Sequence, residues 1–303
     1  MKRPIFFTIF LLGLVAPASA APLKVVTTLS TFADLVKTIG GEQVEVSYVA
    51  SPKFNPHFIE PKPSDVLKVK KADLFVHAGL DLELWRWPLV EAAGNREGMP
   101  GGSRELDFSR GVKLLEVPQG SVSRAEGDIH LYGNPHYWLD PRNGKIMAQT
   151  IAEKLSELDP EHISFYNERM RVFTRQLDQR ITEWESRTAS ILDRELVAYH
   201  NSWPYLMAFT GLKMQHYLEP KPGIPPTPRQ VEFIERSIRE RKIPVIVQES
   251  YFPKETAETV ARRTGAKVIL LCQNVGQIPE AKDYLAMMAY NVNQLVSALG
   301  GSR

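Results

Sequence analysis

From Ile163 to Trp184, apolar side chains recur every three or four residues: Ile163, Tyr166, Met170, Phe173, Leu177, Ile181 and Trp184. Only an α-helix lines up that spacing on one face. The pattern begins at "LDPEH", which predicts Asp159 as N-cap, Pro160 at the first helical position and about eight turns of helix. A helix of that length either runs along two lobes or packs wholly inside one domain.

The flanking sequence favours two lobes. Short runs rich in Val, Ile and Leu alternate with helical patterns, the signature of α/β layers with largely parallel sheets. "LKVVTT", "VEVSYV" and "DLFVHAG" read as strands, with "TFADLVKTIGG" and "PSDVLKVKKA" as helices between them. A second set follows in "RELVAYH", "LKMQHYL", "IPVIVQES" and "AKVILL", separated by "PRQVEFIERSIRERK" and "PKETAETVARRTG". The expected fold is α/β: two lobes, each a small, mostly parallel sheet with flanking helices, joined by one long backbone helix. The boundaries expected are 21–158 for the first lobe, 159–190 for the linking helix and 191–303 for the second lobe. No long sequence repeat accompanies the two sets.

Residues 1–20, "MKRPIFFTIFLLGLVAPASA", have a basic start, an apolar run and an A-x-A ending at Ala18-Ser19-Ala20, the pattern of a cleaved secretory signal. The apolar run is too short to span a bilayer. No cysteine lies near the cleavage point, so a soluble, exported, periplasmic protein is expected rather than a lipid-anchored one. Losing Lys2 and Arg3 brings the 37 basic residues level with the 35 acidic ones. That balance argues against nucleic acid or an anionic membrane as the main partner. Cys272 is the only cysteine, so no internal disulfide forms and stability must come from packed cores.

Two stretches repeat a phrase. "FNPHFIEPKPSD" holds Asn55-Pro56-His57, and "GNPHYWLDPRN" holds Asn134-Pro135-His136. Each proline fixes its own φ and pushes the preceding asparagine towards extended geometry, so the imidazole that follows has less freedom to lose on binding. His57 follows the second strand, and His200 ends "RELVAYH". Ligands of open α/β sheets bind beyond the carboxyl ends of strands, so imidazoles from both lobes can converge on one cleft. No Cys-x-x-Cys, H-E-x-x-H, G-x-S-x-G or P-loop pattern is present.

Together with "VAYHNSWPYL", "VQESYFPKETAETVARRTGAKV" and "DYLAMMAYNVNQL", these stretches resemble the zinc/manganese-binding receptors of bacterial metal ABC importers, the helical-backbone type of solute-binding protein. The resemblance covers essentially the whole mature chain. It implies a monomeric protein that is not an enzyme, captures one ion between its lobes and delivers it to a membrane permease. His57, His136 and His200 match the family's first three ligand positions. Three imidazoles suit Zn²⁺ better than Mn²⁺, which favours oxygen; a Mn²⁺ or Fe²⁺ receptor is the alternative within the family. A zinc-dependent hydrolase is the alternative outside it, because three histidines and an open place also describe catalytic zinc.

The chain departs from the family at the fourth position. "LLCQNVGQIP" carries no carboxylate where many members place an aspartate, and Cys272 or Gln273 falls there instead. Glu249, which ends "IPVIVQE", is the expected fourth, oxygen ligand. Cys272 and a bound water, with Glu249 behind it, are the other candidates. The long histidine-rich loop of many zinc-selective members is reduced to His130 in "RAEGDIHLYG", read either as an ordinary loop residue or as a transient metal catch. His77, His162 and His216 read as core or surface residues. Tyr137, Trp138, Tyr251 and Phe252 are expected to form an apolar shell around the site.

Overall fold

The computed structural model describes residues 21–120, 130–221 and 223–300. The expected signal segment, 1–20, lies outside the described residues. The first lobe runs β1 (Leu23–Leu29), α1 (Ser30–Gly40), β2 (Val44–Ala50), α2 (Pro63–Lys70), β3 (Leu74–His77), α3 (Arg86–Ala93) and β4 (Glu105–Asp107). Two helices follow, α4 (Pro141–Leu158) and α5 (Ile163–Thr188). The second lobe holds β5 (Glu195–Ala198), α6 (Pro204–Thr210), β6 (Lys213–Tyr217), α7 (Pro228–Arg241), β7 (Val245–Gln248), α8 (Lys254–Thr264), β8 (Lys267–Leu270) and α9 (Tyr284–Leu299).

Each lobe contains one four-stranded parallel sheet. The orders are β2-β1-β3-β4 and β6-β5-β7-β8, the same topology twice without a matching sequence repeat. The central strands β3 and β7 are buried along their whole length, as parallel strands covered on both faces must be. In both sheets the chain reverses its direction of growth next to the first strand. That leaves a crevice between β1 and β3 and another between β5 and β7, open at the strands' carboxyl ends.

α5 lies against both lobes. It packs on α4 and α1 on one side and on α6 and α9 on the other. Tyr166, Phe173, Leu177, Ile181 and Trp184 are its buried stripe, while Ile163 is exposed. Trp184 meets Phe209 edge-on at 6.5 Å, and Phe173 lies 6.4 Å from Tyr284. Gly144 on α4 is where this packing is tightest: a Cβ there would come within 2.9 Å of both Leu177 and Tyr284. A single apolar core continues from β1 and α1 through α4 and α5 to α6 and α9. A smaller one, around Val197, Ile234, Ile246 and Val260, lies under α7 and α8.

The long helix opens at Pro160 with Asp159 in the N-cap position, as expected, but its first turn, Pro160–His162, is 3₁₀ and the α-helix begins at Ile163. The Asp159 carboxylate is drawn to His162 Nδ1 at 2.7 Å and to the Tyr166 hydroxyl at 2.6 Å. Both partners share Oδ2, and the side chain makes no capping bond to the turn's backbone.

Polar contacts lock the lobes at the base of the cleft. Ser30 Oγ donates to Val275 O at 2.7 Å, and Val275 N–H donates to Thr31 Oγ1 at 3.0 Å. Trp138 Nε1 donates to Gln273 O at 2.7 Å, and the Tyr284 hydroxyl donates to Trp138 O at 2.8 Å.

Candidate metal centre

The repeated Asn-Pro-His phrase folds the same way twice. In the loop between β2 and α2, His57 N–H donates to Asn55 Oδ1 at 3.1 Å; ahead of α4, His136 N–H donates to Asn134 Oδ1 at 3.1 Å. Both are turns closed by an asparagine side chain two residues earlier, which suit the extended geometry that proline imposes on that asparagine. Each turn is also anchored from outside. Trp85 Nε1 donates to Pro56 O at 2.8 Å, and the Tyr137 hydroxyl beside His136 donates to Ala78 O at 2.8 Å.

His200 arrives from the second lobe. β5 pairs with β7 at Ala198↔Val247, and Tyr199 N–H donates to Val247 O at 2.8 Å. One step further, His200 and Glu249 leave the two strands at the same edge of the β5/β7 crevice. All three histidines are buried, and one ring nitrogen from each lies within 4.8 Å of the other two. His57 Nε2 and His136 Nε2 are 3.3 Å apart.

The tautomers follow from what lies behind the rings. Asn134 Oδ1 can only accept, so His136 Nδ1, 3.0 Å away, carries the proton and Nε2 the lone pair. The Glu219 carboxylate plays the same part for His200 Nδ1, leaving His200 Nε2 buried with no hydrogen-bond partner. Burial, followed by the neighbouring His57, His200 and His130, holds His136 well below the ordinary imidazole range, so it stays neutral. His136 and His200 thus have their Nδ1 groups held by oxygen acceptors and turn Nε2 towards the trio, an arrangement that suits metal binding.

Glu249 is fully buried beside this trio. Ser202 Oγ and Gln273 Nε2 both donate to its Oε1, the latter at 2.9 Å, while Oε2 has no partner. Burial pushes its carboxyl up to about 7, against the opposing pull of His200 and the Ser202 hydrogen bond. It is not part of the close group formed by the three histidines. Cys272 sits in the core with its thiol pushed up to about 12 by burial, so it is a small apolar side chain rather than a thiolate. Gln273 is engaged by Glu249 and Trp138.

Trp138 lies 5.5 Å from His136, and Phe252 lies 5.7 Å from His200 while stacking on Tyr199 at 4.4 Å. His216 bonds Ser237 Oγ at 2.8 Å, and His162 belongs to the turn before α5. His77, Glu105 and Asp107 form the other close group among the described residues. There His77 Nε2 lies 2.8 Å from Glu105 and 3.1 Å from the Arg86 guanidinium, and Arg110 takes the other Glu105 oxygen at 3.1 Å. Guanidinium groups already supply the positive charge, and the cluster is structural. Glu219 and Ser202 escape sequence reasoning because each reaches the site through tertiary contact, while Gln273, which falls at the expected fourth position, supports Glu249 through its side chain. Asn134 stands in the quoted motif, and its side-chain role becomes visible only with the turn.

Residues 25–298 match the model of the ZnuA family, described as zinc-uptake complex component A, periplasmic. The manganese ABC transporter substrate-binding lipoprotein PsaA of Streptococcus mitis is 28% identical over 291 residues, covering 93% of this chain and 91% of that protein. The metal ABC transporter substrate-binding lipoprotein FimA of Streptococcus parasanguinis is 27% identical over 308 residues, covering 97% and 96%. Among solved structures, the laminin-binding protein Lmb of Streptococcus agalactiae, described as an adhesin with metal-transporting activity, superposes with a TM-score of 0.76 at 26% identity, covering 91% and 99%. A zinc-bound ZnuA deletion mutant superposes with a TM-score of 0.78 at 23% identity, covering 93% and 100%, a likeness of fold.

Proposed function

This chain belongs to the ZnuA family of metal-binding receptors, and from that premise we propose that the ion it carries is Zn²⁺. Members of the family are the substrate-binding components of metal ABC importers; they deliver metal to a membrane permease and are not enzymes, which sets the hydrolase alternative aside. The named relatives include manganese receptors, so the metal is argued from the site. The observation that carries it is the buried trio of His57, His136 and His200, with one nitrogen of each within 4.8 Å of the others. Imidazole donors favour Zn²⁺, and the order of divalent affinities puts Mn²⁺ well below it.

In this reading Glu249 is the oxygen donor, placed beside His200 with a buried, unpartnered Oε2. A buried carboxylate with one oxygen left unpartnered is costly, and a cation next to it reduces that cost. The protein works outside the cytoplasm; we take it to be periplasmic, exported by the cleaved segment 1–20. Residues 21–158 and 191–303 act as the two jaws and 159–190 as the spine. The test is a competition titration of metal-stripped protein with Zn²⁺ and Mn²⁺. Zn²⁺ preferred by at least a hundredfold is expected, and equal affinity or a Mn²⁺ preference contradicts the reading.

A further inference from the structure

Two imidazoles that bind one Zn²⁺ tetrahedrally at about 2.0–2.1 Å have ring centres roughly 5 Å apart. The trio comes close to that geometry. His57 and His136 are separated by 5.3 Å, His57 and His200 by 5.3 Å, and His136 and His200 by 5.8 Å.

A fourth ring stands near two of the three, with its nitrogens outside the group whose ligand atoms all lie within 4.8 Å of one another. His130 lies 5.0 Å from His57 and 6.1 Å from His136, tilted 31° from the first and 78° from the second. It is half-buried and lines a cavity of about 270 Å³ together with His200, Asn134, Glu116 and Glu219. Glu249 approaches the trio from the β5/β7 crevice, where Ser202 and Gln273 hold it, and it does not line that cavity. The side of the trio facing the cavity is therefore the side on which His130 stands.

We infer that His130 is a ligand of the same ion, so that the loaded site holds four imidazoles, with the Glu249 carboxylate on the inner side. This rests on the reading of His57, His136 and His200 as the metal site. Three of the four rings then come from the first lobe and one from the second. A fourth nitrogen also increases the preference for Zn²⁺, and for its close analogues Co²⁺ and Cd²⁺, over the oxygen-seeking Mn²⁺.

The full chain labelled with ¹⁵N-histidine and loaded with ¹¹³Cd²⁺ reports each bound imidazole as a ¹¹³Cd–¹⁵N coupling. Four coupled histidines are expected in the unmodified protein. In His130→Ala, one coupling should vanish and Zn²⁺ affinity should fall at least tenfold; His130→Asn should behave the same way while keeping a polar side chain at the position. Three couplings in the unmodified protein, with His130 uncoupled, overturn the inference and leave the trio standing. No coupling to His57, His136 or His200 removes the metal site itself.

Discussion

The Glu219 carboxylate holds two groups at once: one oxygen accepts the Nδ1–H of His200, and the other accepts the Gly223 N–H at 2.8 Å. Gly223, at φ +78°, leaves only 3.2 Å between an added Cβ and the ring of Phe58, next to His57 on the opposite lobe. The orientation of the second lobe's histidine is thus tied to the backbone that meets the first lobe across the cleft. Glu219→Gln should weaken Zn²⁺ binding about 10–100-fold, as loss of a ligand's outer carboxylate does. Calorimetric titration measures it, and unchanged affinity would show that Glu219 serves the loop alone.

Glu249 and Cys272 separate cleanly. Glu249→Gln should lower Zn²⁺ affinity at least tenfold, because the buried Oε2 loses its charge beside the ion. Cys272→Ser should leave affinity unchanged and cost stability, since it places a hydroxyl in an apolar core position. A titration in which only the cysteine variant binds more weakly would reverse the assignment.

Asp34 gives a pH dependence away from the metal. Burial raises its carboxyl to about 6 from 3.8, although it accepts the Tyr284 N–H at 2.8 Å where α9 begins. With the folded value raised, its contribution to stability is fully present below about pH 4 and is lost as pH rises through about 6. Asp34→Asn keeps an acceptor for Tyr284 without the charge. It should be more stable than the unmodified protein at pH 8, by about 1–3 kcal/mol, and gain little at pH 4. Denaturant melts at both pH values measure this, and an equal effect at both would exclude titration of Asp34 as the cause.

Much of this architecture is legible in the chain itself, for identifiable reasons. Parallel strands buried on both faces leave continuous apolar runs such as "LFVH" and "VIVQ", and the helices between them keep their own periodicity. β4 leaves no such trace: it is three residues long, and two of them, Glu105 and Asp107, are acids engaged in side-chain bonds. The Asp-Pro signal marks the start of the long helix, but the 3₁₀ form of its first turn is not legible, because the partners that draw the Asp159 side chain are His162 and Tyr166. At the site, proline-flanked histidines and strand ends are local features. The bonds that select their tautomers, from Asn134 and Glu219, depend on side-chain direction, and the link from Gln273 to Glu249 depends on how β7 and β8 lie together. The shared strand order of the two sheets leaves no repeat in the sequence because it constrains topology, not residue identity.

The central claim is that His57, His136 and His200 hold one ion between the lobes, and calorimetric titration of Zn²⁺ into each alanine variant tests it most directly. The account predicts one site per chain and a loss of at least a hundredfold in affinity for each of the three, with folding retained. Near-normal binding in any two of them would contradict it.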